Sequence, residues 1–340
     1  MTTIRNKRLL WQLPFLVLLI VGTILIIRSQ RNMPYQKCSG LIFGTIYNIT
    51  YQYDEDLQQE LVAKMQEVDS ALSMFNEHSI ISRINRNEQF KPNDMFLNVF
   101  QQAQTISKAT DGAFDITVAP LVNIWGFGFK SGQDPSQQAI DSLMQFIGYK
   151  KISYDGKSII KQDSRIMLDC SAIAKGYGAD VVAQVLDDKG VKNYLVEIGG
   201  EIVTRGISEK RLPWKIGVTK PTNDPMQTGG ELQTVLNVTD KAMATSGNYR
   251  NFYYKGGKRY AHTIDPKTGR PVQHNILSAT VLAEHCARAD AFATAFMVMG
   301  LERAKQVLQE NPDLMAYLIY DDKGQNKVWY SPSLKDKIAE

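Results

Sequence analysis

The feature that most constrains this chain is an apolar run from Leu9 to Ile27, broken only by Gln12, Pro14, Gly22 and Thr23 and preceded by Arg5, Lys7 and Arg8. At about 1.5 Å per helical residue, such a run just spans a hydrocarbon core. The alternative is a cleaved signal peptide, which needs small residues at its cleavage site. Arg28, Gln30, Arg31 and Asn32 follow instead. Lipidation of Cys38 would also need small residues before it, where Tyr35, Gln36 and Lys37 stand. The run therefore reads as an uncleaved anchor over 9–27, with a short N-terminus at 1–8 and a linker over 28–40. Basic residues flank both ends, so loop charge gives no orientation.

Behind the linker, enough chain remains for two lobes or one large domain, expected over 41–335. A composition of 44% hydrophobic and 22% charged residues is that of a folded protein. The net charge of +4 is mild, and no basic run with interleaved aromatics occurs, which argues against nucleic acid. Three cysteines, Cys38, Cys170 and Cys286, show no CxxC spacing, so neither a disulfide framework nor a zinc site is indicated.

Periodicity predicts a strand over Phe43–Tyr53, helices over Asp54–Leu72 and about Asp94–Thr110, and hairpin turns at Asp155-Gly156, Gly256-Gly257 and Asp321–Gly324. Strands interleaved with helices and hairpins favour α+β over strict βαβ alternation.

Four blocks could carry chemistry. In Ala109–Gly128, an Asp-Gly turn precedes a buried-looking run and a Trp-Gly-Phe-Gly close, placing Asp115 beside small and aromatic residues; an ordinary turn and strand is the alternative. In Leu168–Asp180, a strand is expected to end at Asp169 and Ser171 to cap a helix. Small residues there (Ala172, Ala174, Gly176, Gly178) permit close approach, and Lys175 adds a charge that suits an anion; tight helix packing with Lys175 in solvent is the alternative. In the third block, His262 and Asp265 precede a proline turn, as acid/base candidates or as a hydrogen-bonded turn pair. In Cys286–Gly300, Asp290 and Thr294 are i and i+4 on one helix, so both oxygens share a face that suits a hard cation; otherwise Thr294 bonds back to the helix and the carboxylate is solvated.

Together these blocks resemble the FAD:protein FMN transferase family (ApbE-like proteins). The likeness includes Ser82-Arg-Ile-Asn85, Asp111-Gly-Ala-Phe-Asp115, Pro120–Gly128, Ala174-Lys-Gly-Tyr177, Glu197-Ile-Gly-Gly-Glu201, Thr245–Arg250, His262–Pro266 and Ala289–Thr294, in the family's order. It implies a two-lobed α+β body with FAD in the cleft between lobes, behind one transmembrane helix in the bacterial cytoplasmic membrane, with the catalytic domain on the extracytoplasmic side. The implied reaction splits FAD with Mg²⁺ and moves FMN through a phosphoester onto a threonine of a target flavoprotein, such as a membrane redox-pump subunit, releasing AMP. By motif, Asp290, Thr294 and the Ala172 carbonyl would hold Mg²⁺, while Phe43, Phe75, Ala113, Phe114, Asp115, Asp169, Lys175 and Ile264 would surround FAD. His262 or Asp265 would activate the acceptor hydroxyl. Phe43 and Phe75 stand where the family often has Met and Tyr, and Ala261 where it often has Ser. A pyrophosphatase using water at the same site, a membrane-tethered flavin-binding module and a ligand-free interaction protein are the rival readings.

Overall fold

The computed structural model describes residues 4–128, 135–221, 231–248, 252–255 and 258–339. Helix α1 (Ile4–Asn32) carries exposed apolar side chains from Leu13 to Ile27. Its side chains are described only over 12–28, and among the described residues no helix is long and apolar enough to cross a membrane.

The expected linker over 28–40 is corrected by the structure. Helix α1 runs to Asn32 and strand β1 (Tyr35–Ile42) begins almost at once, with only Met33 and Pro34 between. Polar residues at alternate positions gave Tyr35–Gly40 no strand signal of its own. It becomes a strand by pairing antiparallel with β2 (Thr45–Gln52), Tyr35 opposite Gln52 and Ile42 opposite Thr45. Phe43 and Gly44 close this hairpin with φ of 52° and 70°, the geometry of a two-residue type I′ turn.

Beyond β2 the main sheet takes β3 (Tyr194–Ile198), β4 (Glu201–Arg205), β5 (Lys241–Gly247), β6 (Ile276–Ala283), β7 (Met315–Asp322) and β8 (Gln325–Tyr330). All eight strands lie side by side in chain order and pair antiparallel. This meander bears out the α+β expectation, since the helices sit in insertions and not in parallel crossovers. The expected hairpin at Asp155-Gly156 joins Ile152–Tyr154 to Ile159–Lys161, and that at Asp321–Gly324 joins β7 to β8. Gly256 and Gly257 lie outside the described residues.

The long insertion after β2 supplies α2 (Gln58–Leu72), α3 (Ile80–Asn85), α4 (Asp94–Ala109), α5 (Ala119–Ile124), α6 (Gln137–Met144) and α7 (Ala174–Asp188); α8 (Cys286–Met299) and α9 (Leu301–Glu310) follow β6. Helix α4 starts where the Asn93 side chain accepts the Phe96 N–H at 2.9 Å, a cap worth about 1 kcal/mol. Helix α8 ends at Gly300, whose φ of 79° breaks it.

Two local expectations fail. Ser171 does not cap α7, which begins at Ala174; its N–H is instead taken by the Asp169 carboxylate at 2.7 Å. Nor does Asp169 end a strand: its N–H bonds the Ile116 carbonyl at 2.7 Å, tying two irregular segments together. Residues 113–118 form a buried loop and not a strand.

Alternation along the strands builds a core on each face of the sheet. On one face Val196, Ile198, Val203 and Ala242 meet Ala179, Val182 and Leu186 of α7 and Leu61 and Met65 of α2. On the other, Ile202, Met243 and Leu282 meet the hairpin of Trp214–Thr219 and Leu232–Val238. Each buried Val, Leu, Ile or Met side chain among them contributes about 1.5–3 kcal/mol. The strand register puts the Phe43-Gly44 turn, the Gly199-Gly200 turn and the end of β5 at one edge of the sheet, while α1 enters at the opposite edge beside Tyr35.

Candidate active site

Two connected cavities open at that edge. The larger, about 610 Å³, lies between the Phe43-Gly44 turn, the end of α2 with the loop to Asn76, and the start of α7. The second, about 410 Å³, continues over Ala113–Ile116, Asp169–Ala172, Glu201, Thr245–Gly247, His262–Ile264 and α8. Met74, Phe75, Ser171 and Lys175 line both. The joint space suits an elongated ligand with two ends.

The site's residues arrive by specific local devices. Phe43 holds a left-handed backbone, which costs a bulky residue energy and is stored where the surroundings fix it. Its ring fills space that any side chain at Gly178 would take, since a Cβ there would fall 2.6 Å from the ring. Phe75 is 70% exposed at the mouth between the cavities. Asn85 of the Ser-Arg-Ile-Asn block clamps the Leu168 backbone in both directions (2.9 and 2.7 Å), setting the segment that carries Asp169. Gly269 accepts the Trp125 Nε1–H at 2.7 Å, docking the turn after His262 onto the Trp-Gly-Phe-Gly block.

Helices α7 and α8 touch at Gly176, where an added Cβ would meet the Cys286 carbonyl at 2.5 Å. The close approach lets the Gly176 N–H donate to Asp290 Oδ2 at 3.1 Å. Asp180, one turn further along α7, accepts the Cys286 and Ala287 N–H groups at 2.7 and 2.8 Å and so caps α8 from another helix. Burial pushes its carboxyl up to about 6 despite those donors.

The charged centre is Lys175, Glu201 and Asp290. Lys175 Nζ bonds Glu201 Oε1 at 2.7 Å. Burial disfavours the ammonium, but Asp290 and Glu201 outweigh it and raise its pKa. Glu201 is raised to about 7, by burial first and then by Asp290, against the pull of Lys175. Asp290 is raised by burial, with Lys175 and the Gly176 N–H opposing. Glu201 Oε2 is buried and accepts no hydrogen bond. Two carboxylates against one ammonium, with one buried oxygen unsatisfied, is a cluster short of positive charge. With Thr294 Oγ1 3.2 Å from Ser246 Oγ on the same wall, the donors are all oxygen and fit a hard divalent cation. Thr294 thus turns to Ser246, and Asp290 is not solvated, at 5% exposure.

The remaining acids have structural partners as well as cavity positions. Asp115 accepts from Thr117 N–H and Oγ1–H at 2.8 and 2.7 Å and from Tyr149 N–H at 2.7 Å; burial still raises its pKa. Asp169 is likewise raised by burial, offset in part by Ser171. Both line the second cavity with Ala113, Phe114, Ala172, Ile264, Asp290, Thr294 and His262.

Every candidate residue therefore meets in this joint space except Asp265. Its carboxylate accepts Lys267 N–H at 2.9 Å and Thr268 Oγ1–H at 3.0 Å, so it builds the turn and does not line either cavity. His262 does line the second, edge-on to Phe127 with 6.4 Å between ring centroids. Sequence reasoning did not single out Glu201, Ser246 or Asp180. The acidic residue straight after Gly199-Gly200 was the available signal for Glu201.

An antiparallel meander that holds an elongated cleft, with buried acids around Lys175 at its centre, has the build of an enzyme's active site. Comparison with known proteins gives the family. Residues 43–319 match the ApbE family profile. The FAD:protein FMN transferase of Vibrio cholerae is 35% identical over 94% of this chain and 98% of its own length; that of Escherichia coli K12 is 34% identical over 87% and 86%. The solved Vibrio cholerae flavin transferase ApbE superposes with a TM-score of 0.81 at 36% identity, covering 89% of this chain and all of that one. An ApbE protein from Thermotoga maritima gives 0.79 at 27% identity. The chain belongs to the ApbE family and is an enzyme of the transferase class.

Proposed function

We propose that this protein binds FAD along the joint cavity, cleaves its pyrophosphate and attaches FMN through a phosphoester to a threonine of a flavoprotein acceptor, releasing AMP. The observation that carries this reading is the convergence of the Lys175–Glu201–Asp290 centre, His262 and the aromatic Phe43 and Phe75 on one two-chambered cleft. Relatives sharing the body are named FAD:protein FMN transferases.

Phe43, Phe75 and Phe114 offer apolar surface for the ring systems, and Lys175 lies where the two chambers meet, with a bound cation left to offset the phosphate charge. Asp290, Thr294 and the Ala172 carbonyl would hold Mg²⁺, which when bound neutralises the developing charge on the departing AMP phosphate. His262 takes the proton from the acceptor threonine as its Oγ forms a bond to the FMN phosphorus and the bridging P–O bond to AMP breaks. Of the two base candidates His262 is the one that faces the cleft. Buried walls fix the groups in place, so positioning and charge supply most of the acceleration.

In this reading α1 anchors the protein in the cytoplasmic membrane with the catalytic body on the extracytoplasmic side. Gln52 Nε2–H to the Met33 carbonyl (2.9 Å) and Tyr53 N–H to the Pro34 carbonyl (3.1 Å) fix the helix exit to the sheet. The eight residues of β1 then set the cleft about 25 Å from the anchored edge.

Full-length protein in detergent, mixed with FAD, Mg²⁺ and a threonine-bearing flavoprotein domain, tests the reading by intact mass. Acceptor carrying FMN, with one AMP released per transfer, is expected. Free FMN and AMP beside an unmodified acceptor would replace the transferase with a pyrophosphatase, and bound FAD left intact would replace it with a binding module.

A further inference from the structure

We infer that Glu201 is a positioning residue of the cation site: one oxygen holds Lys175, and the other accepts a hydrogen bond from the cation's water shell. The inference rests on the cation reading above and goes beyond the Asp290–Thr294–Ala172 donor set.

Glu201 opens β4 directly after Gly199 and Gly200, whose φ values of 65° and 103° turn the chain at the cleft edge. Its side chain is 5% exposed. Oε1 is committed to Lys175 at 2.7 Å, while Oε2 is buried and has no donor, in a residue that lines the same cavity as Asp290 and Thr294. A buried carboxylate oxygen without a donor is costly. A protein keeps such an atom where a ligand satisfies it. Glu201 also sits at the wrong end of a charge count: Lys175 alone cannot neutralise it and Asp290 together. A divalent cation does so, and a small hard cation keeps several waters whose hydrogens point outward to acceptors. Carboxylates in that outer position orient the ligands, and their loss lowers metal affinity 10–100-fold. Lys175 is the only cation bonded to either carboxylate among the described residues, so it and the metal share the same negative charge.

Two opposed consequences follow for Glu201→Gln. Without a cation, the amide removes an uncompensated buried charge, so the variant melts at a higher temperature than the wild type. With a cation, it lacks the acceptor and the charge, so Mn²⁺ binds roughly tenfold more weakly. A merely structural ion pair would give the reverse for stability, because breaking it strands Lys175.

The experiment is a Mn²⁺ titration of full-length protein in detergent, followed by electron paramagnetic resonance without FAD, with melting curves at zero and saturating Mn²⁺. Weaker binding together with a higher cation-free melting temperature is the expected result. Equal Mn²⁺ affinity in wild type and Glu201→Gln, or a lower cation-free melting temperature in the variant, overturns the inference. If Glu201→Gln does not fold, Lys175→Met serves: with its competitor gone, the cation should bind several-fold more tightly, and unchanged or weaker binding overturns the assignment. Wild type that binds no Mn²⁺ would sink the cation reading itself, and this inference with it.

Discussion

His262 and His274 show how two like residues take different roles from their surroundings. His262 lines the cleft, whereas His274 is half-buried with Nε2 2.6 Å from the Met297 carbonyl and Nδ1 accepting the Ile276 N–H at 3.2 Å. That pattern fixes the neutral tautomer, with the proton on Nε2. Protonating Nδ1 would set two donors face to face, and burial lowers the pKa below its ordinary 6.5. For a base whose folded pKa is depressed, the unfolded chain binds more protons just below 6.5. The stability His274 contributes is therefore complete above that pH and lost as pH falls through 6.5 towards its folded pKa. Urea midpoints at pH 7.5 and 5.5 should fall further in wild type than in His274→Gln; equal changes would refute the assignment. For His262→Ala we expect FAD binding to persist while FMN transfer slows at least ~100-fold. A full transfer rate in that variant would remove His262 as the base. Little of this contrast was legible in sequence: both are histidines among polar and turn residues, and only their places in the fold separate them. Asp265 teaches the same lesson, because an Asp ahead of a Pro-Lys-Thr-Gly turn caps that turn as readily as it serves a base.

At the scale of elements, the pairing of α7 with α8 places the charged centre. Gly176 allows the contact, and Asp180 locks it by capping α8 across the interface. Removing that carboxylate leaves two α8 N–H groups without their partner. Asp180→Ala should cost about 1–3 kcal/mol by urea unfolding and weaken Mn²⁺ binding, because Asp290 rides on the same helix. Normal stability with normal binding would show that the cap is dispensable. Two of the helices were readable from apolar spacing, α2 and α4, whereas α8 is a run of small and apolar residues buried on every side. What the spacing could not give was the start of α7, where the Asp169 carboxylate takes the Ser171 N–H and no side chain caps the helix, or the strand at Tyr35–Ile42, which exists only through its partner.

For the whole molecule, the meander separates the cleft from the helix proposed as an anchor. Turns carrying Phe43, Gly199-Gly200 and Gly247 gather at one edge, and α1 joins at the other with two residues between helix and strand. A body anchored through α1 as proposed cannot swing far, so the proposed acceptor site must reach a cleft set by the length of β1. Deleting residues 1–32 should move the protein from the membrane fraction to the supernatant while leaving FMN transfer to a soluble acceptor within about twofold, since no cleft residue is lost. A truncated protein that still sediments with membranes would show a second membrane contact; a large loss of transfer to a soluble acceptor would show that α1 also supports the cleft.

The sequence by itself determined the α+β class, the helical periodicity, the apolar run and the residue types able to bind an anionic ligand with a cation. These depend on local spacing and side-chain chemistry, which a single chain displays. Only the tertiary structure decided that Phe75 joins the cavity of Phe43 to that of Ile264, that Asp265 belongs to a turn, and that Glu201 keeps an oxygen buried without a donor. Those facts arise from strand register and from backbone approach at Gly176 and Gly178, where residues far apart in sequence compete for the same hydrogen bonds and the same space.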